Sequence, residues 1–295
     1  GWEYVRDAAK LVKEAGMKNV LVTNGTAELW VLEEILPYTD AMNIDLKGFT
    51  ESYYEKVIEW IKEADKILVG FGAEWKVPTV ETLFCAQEQW KASLKFQRAY
   101  IAEKEKKSKN TIEGIDRIFA GYQVLRKLLE GKDYFLITTN PDAYLYQQGF
   151  VEERIVAPCG DIRKLQCEET EHNVWRFCEE DSNPVCPVCG KIGKLNVLQN
   201  MPYQERGYLE EWKAYQTWLQ NTMNKKMIIL ELGEGFQTPT VMRWPFEKLV
   251  FFQEKAILCC VHETLSMVSK EVSERAYSIM ENSVDFAIQL GHNTV

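Results

Sequence analysis

The chain has 295 residues, of which 46% are hydrophobic and 12% aromatic, so it can bury a large core in one or two domains and is not a disordered chain. Its formal net charge is −9, which argues against nucleic acid and anionic membranes as partners because both attract basic surfaces. No apolar stretch approaches the roughly 20 residues that span a bilayer.

The sequence also lacks the charged start and apolar core of a signal peptide, and we therefore expect a cytoplasmic protein. Its eight cysteines are interpreted as candidates for metal binding or catalysis, since disulfides are rare in reducing compartments.

Hydrophobic periodicity predicts alternating helices and strands, the pattern of a parallel α/β sheet. The predicted helices cover 2–15, 29–36, 54–63, 111–130 and 208–220, and the predicted strands cover 18–23, 41–47, 66–70, 135–138, 154–157, 226–233 and 256–261. A strand and a closing helix are expected at the end of the chain. Asn110 with Glu113 resembles a capping box before helix 111–130. The aromatic stretch 78–103 is interpreted as a helical lid.

Two segments near the beginning resemble a radical S-adenosylmethionine enzyme of the glycyl-radical-activating type. They are Val22–Gly25 and Asn43–Gly48. The resemblance implies that Asp45 and Lys47 lie at the cofactor end of a barrel. Such an enzyme needs three clustered cysteines for its iron–sulfur cluster, and the first cysteine of this chain is Cys85. We therefore interpret residues 1–57 as a partial β/α-barrel fragment without radical chemistry.

A glycine-rich loop follows strand 66–70, the first strand of the next α/β pattern. Glycines at this place let backbone N–H groups approach a pyrophosphate. Gly70, Gly72 and Ala73 are therefore predicted to contact a nucleotide. Glu74 is unexpected here, because a carboxylate beside phosphates is repulsive unless it points away.

Polar residues also follow three later strands. Strand 135–138 leads into Thr138-Thr139-Asn140-Pro141-Asp142, strand 154–157 into Cys159-Gly160-Asp161, and strand 226–233 into Gly233-Glu-Gly235-Phe-Gln-Thr238. Open α/β sheets bind ligands at the carboxyl ends of their strands. The ligand contacts predicted in the first of these loops are Thr139, Asn140 and Asp142.

A metal-binding pattern lies between the last two of these strands. Cys186-x2-Cys189-Gly is a knuckle in which both thiolates face one tetrahedral ion, and Cys167 precedes it at a spacing that suits a zinc ribbon. The fourth ligand is either His172 or Cys178. Four protein ligands leave no open position, so the predicted zinc is structural.

The order of these motifs resembles the sirtuin family over residues of about 60 to 290. Sirtuins carry Gly-Ala-Gly-x-Ser where this chain has Gly70–Glu74, and Thr-x-Asn-x-Asp where it has Thr138–Asp142. The resemblance implies that Asn140 and Asp142 position the nicotinamide ribose and a water, and that Gly233–Thr238 cradles the adenosine side. It also implies NAD or ADP-ribose as ligand, a bound zinc, and an acylated protein or peptide as substrate.

One departure from the sirtuin pattern concerns the catalytic position. Where sirtuins carry a histidine before glycine, this chain has Cys159, and its three histidines, His172, His262 and His292, lie elsewhere. An unperturbed thiol has a pKa near 8.5 and is mostly protonated at pH 7. Cys159 either fills a half-buried position in the binding pocket or, as a thiolate, captures ADP-ribose covalently.

These patterns predict an α/β protein with a Rossmann-like parallel sheet and an inserted zinc-ribbon-type module. The predicted domains are residues 1–57, the barrel fragment, and residues 58–295, the NAD-binding domain with its zinc module at about 162–200. The expected function is NAD or ADP-ribose binding, with weak NAD-dependent protein deacylase or ADP-ribosyltransferase activity. The alternatives are a catalytically silent nucleotide-binding module and a remnant or partner of a radical S-adenosylmethionine activating enzyme.

Overall fold

The structure is a computed structural model that describes residues 2–23, 29–44, 51–76, 109–176, 185–198, 200 and 202–293. The chain divides into two compact units, Gly1–Tyr53 and Tyr54–Val295. The predicted lid over 78–103 lies outside the described residues. None of the described helices is long and apolar enough to cross a membrane.

The described residues of the first unit form a β/α arrangement with two strands. It contains helix α1 (Trp2–Glu14), strand β1 (Val20–Thr23), helix α2 (Leu29–Ile35) and strand β2 (Ala41–Ile44). The two strands pair in parallel. Asp45 and Lys47 lie outside the described residues, and the barrel origin of this unit stays a prediction.

The second unit alternates strands and helices for most of its length. Helix α3 (Glu51–Glu63) contains the division between the units. It is followed by β3 (Lys66–Phe71), α4 (Lys109–Leu128), β4 (Tyr134–Thr138), β5 (Ile155–Val156), β6 (Gly160–Gln166), β7 (Trp175–Arg176), β8 (Lys194–Val197), α5 (Leu209–Gln220), β9 (Met227–Leu232), α6 (Arg243–Phe252), β10 (Ala256–Val261), β11 (Ala276–Ile279) and α7 (Ser283–His292).

Six of these strands form one parallel sheet in the order β11-β10-β9-β3-β4-β5. The chain starts in the middle with β3, adds β4 and β5 on one side, and then adds β9, β10 and β11 on the other. The order therefore reverses between β3 and β9, and ligands of open α/β sheets bind at such a reversal, beyond the carboxyl ends of the strands. The predicted parallel α/β sheet is confirmed.

The sheet strands are buried on both faces, as continuous apolar runs predict. All six residues of β9 are buried, and Leu68, Phe135 and Ile229 share one core cluster with Phe246 of α6. Helix α4 begins at Lys109, so Asn110 lies within its first turn and is not its N-cap, in contrast to the prediction.

A smaller antiparallel sheet interrupts the parallel one between β5 and α5. Its strand order is β7-β6-β8. An isolated bridge between Val185 and Ile192 closes the Cys186–Cys189 turn next to it. This module follows directly from the end of β5, so it is attached at the carboxyl edge of the parallel sheet.

Candidate nucleotide-binding edge and metal cluster

The loops after β3 and β9 touch each other at the reversal of strand order. A Cβ atom on Gly72 would lie 2.3 Å from the Cα of Glu234, a distance that only a glycine avoids. The backbone N–H of Gly72 donates to the carbonyl of Leu232 at 2.8 Å. Gly233 has a φ of 71°, in the left-handed region that favours glycine. The predicted glycines Gly72 and Gly233 thus form the contact between the two loops.

Gly70 and Gly235 occupy different surroundings. Gly70 lies inside β3, where a Cβ would meet Met242 and Phe246 at 2.6 and 2.7 Å, so its small size serves helix packing. Gly235 is buried in the β9 loop. The backbone N–H groups of Ala73 and Gly235 donate to no other described residue. Two N–H donors are therefore left for an anionic ligand beside the glycines, which fits the pyrophosphate of a dinucleotide.

The loop after β4 joins this edge through its amide and hydroxyl side chains. Asn140, 6% exposed, donates its Nδ2 to the carbonyl of Gly72 at 2.7 Å. Thr139 donates its hydroxyl to Oε2 of Glu234 at 3.0 Å. Asp142 is buried, and its Oδ1 accepts from the backbone N–H of Tyr144. The structure therefore brings Asn140 of the β4 loop to the β3 loop and Thr139 to the β9 loop.

Both oxygens of the Glu74 carboxylate accept hydrogen bonds from backbone N–H groups. Its Oε1 accepts from the backbone N–H of Glu263 at 2.8 Å, and its Oε2 accepts from that of Ser283 at 2.7 Å. Ser283 is the first residue of α7, where a carboxylate is favoured by the unpaired N–H groups of the helix. This carboxylate joins the β3 loop to the segments that contain Glu263 and Ser283, and the two N–H groups stabilise its charge.

Glu234 is a carboxylate at this edge that the sequence analysis did not select. It is 2% exposed, and it accepts hydroxyl hydrogens from Thr139 and from Thr238, each at 3.0 Å. Burial raises its pKa, although the two threonine hydrogen bonds and the charge of Arg243 oppose the rise. An acidic residue between two glycines at the end of an apolar strand was the available signal.

Cys159 lies next to this carboxylate. Burial and the charge of Glu234 raise the pKa of its thiol to about 11, while a hydrogen bond with Thr238 acts in the opposite direction. A thiol with that pKa is protonated at neutral pH, which disfavours the thiolate alternative and agrees with a residue that fills the pocket.

Cys159 also stands at the junction between the parallel sheet and the metal module. Its carbonyl accepts from the backbone N–H of Leu198, which follows β8, at 3.0 Å. The neighbouring carbonyl of Pro158 accepts from the hydroxyl of Tyr203 at 2.9 Å. Gly160, with a φ of 120°, begins β6. The segment 158–160 therefore belongs to the candidate site and to the module at once.

His262 follows β10 at the same edge and was not predicted. Its Nδ1 accepts from the backbone N–H groups of Thr264 and Leu265, at 3.0 and 3.1 Å. Because Nδ1 accepts, the ring proton of the neutral imidazole is on Nε2. The Nε2–H group of His262 is therefore a donor near Gly235. Its nitrogen lies 3.8 Å from the position that a Cβ atom on Gly235 would take.

The four predicted metal ligands meet in one place. The ligand atoms of Cys167, His172, Cys186 and Cys189 all lie within 4.8 Å of one another. Sγ of Cys167 is 3.5 Å from Sγ of Cys189, and Sγ of Cys186 is 3.4 Å from Nδ1 of His172. Tetrahedral zinc with bonds of about 2.0–2.3 Å places its ligands at such separations, so the four residues fit the ion.

The knuckle residues have the geometry that such a cluster needs. Gly190, with a φ of 73°, donates its backbone N–H to the carbonyl of Cys186 at 2.9 Å. Burial raises the pKa of Cys186, but the backbone N–H groups of Cys189 and Val188 that face the sulfur outweigh this effect and lower it to about 6. The thiolate is the form that binds metal. Cys178, the alternative ligand, lies outside the described residues.

Comparison with curated proteins finds relatives named for ADP-ribosyl transfer. A protein ADP-ribosyltransferase of Staphylococcus aureus strain Mu50 is 24% identical over 185 residues, which are 55% of this chain and 57% of that protein. A probable bifunctional ADP-ribose hydrolase/ADP-ribosyltransferase of Fusarium oxysporum f. sp. cubense is 27% identical over 153 residues, 44% of this chain and 26% of that protein. The chain thus spans only part of each relative. No protein-family model matches it.

Comparison with solved structures finds distant sirtuins. Sir2Tm bound to a propionylated peptide has 14% identity and a TM-score of 0.46, with 81% of this chain and 97% of that one covered. A Sir2 enzyme solved for mechanism and regulation has 15% identity and a TM-score of 0.48, with 83% and 98% covered. The chain is thus similar in sequence, over about half its length, to two proteins named for ADP-ribosyl transfer, and distantly similar in structure to sirtuins.

Proposed function

We propose that the second unit binds NAD through its ADP-ribose part and transfers ADP-ribose to a protein acceptor. The observation that carries this proposal is the contact of Gly72 with the β9 loop at the reversal of strand order. The backbone N–H groups of Ala73 and Gly235, which donate to none of the described residues, flank this contact. The similarity to two proteins named for ADP-ribosyl transfer supports the same reaction class.

The polar side chains of the β4 loop suit the ribose next to nicotinamide. Asn140 is fixed by its hydrogen bond to Gly72, and the Asp142 carboxylate is fixed by Tyr144. Side chains held in this way position a substrate without losing further conformational freedom. In the proposed complex they orient the nicotinamide ribose and a nearby water, while the glycine loops hold the pyrophosphate.

A structural zinc is the second part of the proposal. The Cys3His cluster would hold the ion, which would supply folding energy to the module and take no part in the reaction. An acylated peptide as a second substrate follows from the sirtuin resemblance. We expect its deacylation to be slow, because Cys159 stands where a sirtuin has its catalytic histidine.

A catalytically silent NAD-binding module is the second candidate. It is favoured by the pKa of about 11 of the Cys159 thiol, which leaves this position without a base at neutral pH. Release of nicotinamide from NAD separates the two candidates, since a silent module binds NAD without cleaving it. Participation of residues 1–57 in radical chemistry is not proposed, because the three clustered cysteines are missing from the sequence.

The test is calorimetry with NAD and with ADP-ribose, followed by an assay of nicotinamide release. Gly72→Ala should lower the affinity for both ligands at least tenfold, since its Cβ would displace the β9 loop. Gly114→Ala is the matched control, because a Cβ at that helical position meets nothing within 4 Å. Failure of the unmodified protein to bind either ligand would overturn the proposal.

A further inference from the structure

The candidate site contains one carboxylate that is shared between loops far apart in sequence. Glu234 lies on the β9 loop, and its Oε2 accepts from Thr139 of the β4 loop, 95 residues away. Its Oε1 accepts from Thr238. An ionised carboxylate offers about four lone-pair positions, so two hydroxyl donors leave it able to accept a further hydrogen. Glu234 is therefore both fixed in place and able to receive a proton.

The same carboxylate adjoins the position that holds the catalytic histidine in sirtuins. Burial and the charge of Glu234 raise the pKa of the Cys159 thiol, and the Thr238 hydroxyl, which donates to Glu234, lowers it. Thr139, Glu234 and Thr238 form one hydrogen-bonded chain between the loops that follow β4 and β9, and the charge of this chain acts on Cys159 after β5. Of these groups, the carboxylate is the one that can accept a proton, because burial leaves the Cys159 thiol protonated.

We propose that Glu234 is the general base of ADP-ribosyl transfer, the role that Cys159 does not fill. This inference rests on the proposed function. In the step, the bond between C1′ of the nicotinamide ribose and the nicotinamide nitrogen breaks, and nicotinamide leaves with the electron pair. The acceptor atom forms a bond to C1′, and its proton passes to the Glu234 carboxylate. A base is required only by an acceptor that carries a proton, such as a hydroxyl or water.

The charged groups around Glu234 agree with this role. Arg243 donates Nη2 to the backbone carbonyl of Glu234, but its ion-pair partner is the side chain of Glu231. The positive charge of Arg243 therefore does not act on the Glu234 carboxylate alone. Glu74 is turned toward Glu263 and Ser283 and is held by their N–H groups. Burial of Glu234 raises its pKa, and a carboxylate with a raised pKa is a stronger base. Its negative charge also favours the positive charge that develops on the ribose.

The experiment compares Glu234→Gln with the unmodified protein in nicotinamide release from NAD over a range of pH. Glutamine keeps the shape of the side chain but cannot take up the proton. We expect kcat to fall about 10²–10⁴-fold, the usual effect of losing a general base, while the affinity for ADP-ribose changes less than about tenfold. In the unmodified protein kcat should fall as the pH is lowered and Glu234 becomes protonated. This acidic limb of the pH profile should be missing from the variant.

Two further variants keep the test decisive. Glu254→Gln makes the same chemical change at an exposed position at the opposite end of the sheet and should leave kcat unchanged. Glu234→Asp retains the charge and should retain the acidic limb at a lower kcat, which also covers the case in which Glu234→Gln does not fold.

The outcomes separate this inference from the proposed function. An unchanged kcat in a folded Glu234→Gln protein, or a loss confined to ADP-ribose affinity, would overturn the base role and leave the proposed function standing. Absence of NAD binding by the unmodified protein would overturn both.

Discussion

Arg243 and Glu231 form an ion pair in the interior of the second unit, with Nε of the guanidinium 2.7 Å from Oε1 of the carboxylate. Their side chains are 2% and 1% exposed. The same guanidinium donates to the backbone carbonyls of Glu234, Leu265 and Met267. One side chain therefore fixes the loops that follow β9 and β10, directly behind the candidate site.

Removal of Arg243 should be costly for folding. Arg243→Met leaves the Glu231 carboxylate buried without its partner, and such a loss destabilises by about 3–5 kcal/mol. The double variant Glu231→Leu/Arg243→Met should recover part of this loss, because no charge is left buried. Urea unfolding measures both. Arg117→Met, which breaks an exposed pair with Asp285, should cost below about 1 kcal/mol. A cost of similar size at Arg117 would contradict the prediction.

Glu231 should also make stability depend on pH. Burial raises its pKa from 4.5 to about 7, although Arg243 opposes the rise. The folded state thus holds the proton of Glu231 more tightly than the unfolded state does. The stabilisation that comes from this proton is fully present below pH 4.5 and is lost as the pH rises through 7. Between these values the stability of the unmodified protein should fall with rising pH relative to that of Glu231→Gln. Parallel curves for the two proteins would refute this assignment.

Glu74 is expected to be a structural residue. Its two oxygens accept from the backbone N–H groups of Glu263 and Ser283, so Glu74→Gln turns a donor amide toward one of them. An unsatisfied buried donor costs about 1–3 kcal/mol, and thermal or urea unfolding should show a loss in this range. Glu263→Gln, a change at an exposed side chain, should be nearly neutral. A stability unchanged by Glu74→Gln would show that the carboxylate is not needed there.

One zinc ion is expected per molecule, with His172 as the fourth ligand. Elemental analysis of protein purified without added metal should give close to one zinc, and a chelator should lower the unfolding temperature. His172→Ala should reduce zinc affinity strongly, whereas Cys178→Ala should keep the full zinc content. The reverse pattern would assign the fourth position to Cys178, and protein without zinc that is insensitive to chelator would argue against the site.

Cys159 should be dispensable for chemistry. Its thiol pKa of about 11 means that little thiolate exists at pH 7.5, so Cys159→Ser should keep nicotinamide release within about tenfold. Iodoacetamide at pH 7.5 should modify Cys159 slowly, as followed by mass spectrometry. Rapid alkylation of this residue together with a large loss of activity in Cys159→Ser would restore the thiolate nucleophile as the better interpretation.

The sequence predicted the sheet well because each strand carries its own signal. Buried parallel strands have short, continuously apolar sequences, and β3, β4, β9 and β10 were predicted from such runs. The glycines after β3 and β9 and the Cys–His cluster were likewise predicted from short sequence patterns. Glu234 was missed because its partner Thr139 is 95 residues away. The hydrogen bond between Glu74 and Ser283 was missed because the two residues are 209 positions apart in sequence.

The segment 158–160, which lies in the candidate site and hydrogen-bonds to the metal module, has a consequence for energetics. If the proposed zinc holds the module in place, we expect loss of the ion to displace Cys159 through the bonds from Leu198 and Tyr203. The proposed binding of zinc and of ADP-ribose would then be coupled, and coupling free energies are reciprocal. By whatever factor zinc tightens the hold on ADP-ribose, ADP-ribose tightens the hold on zinc.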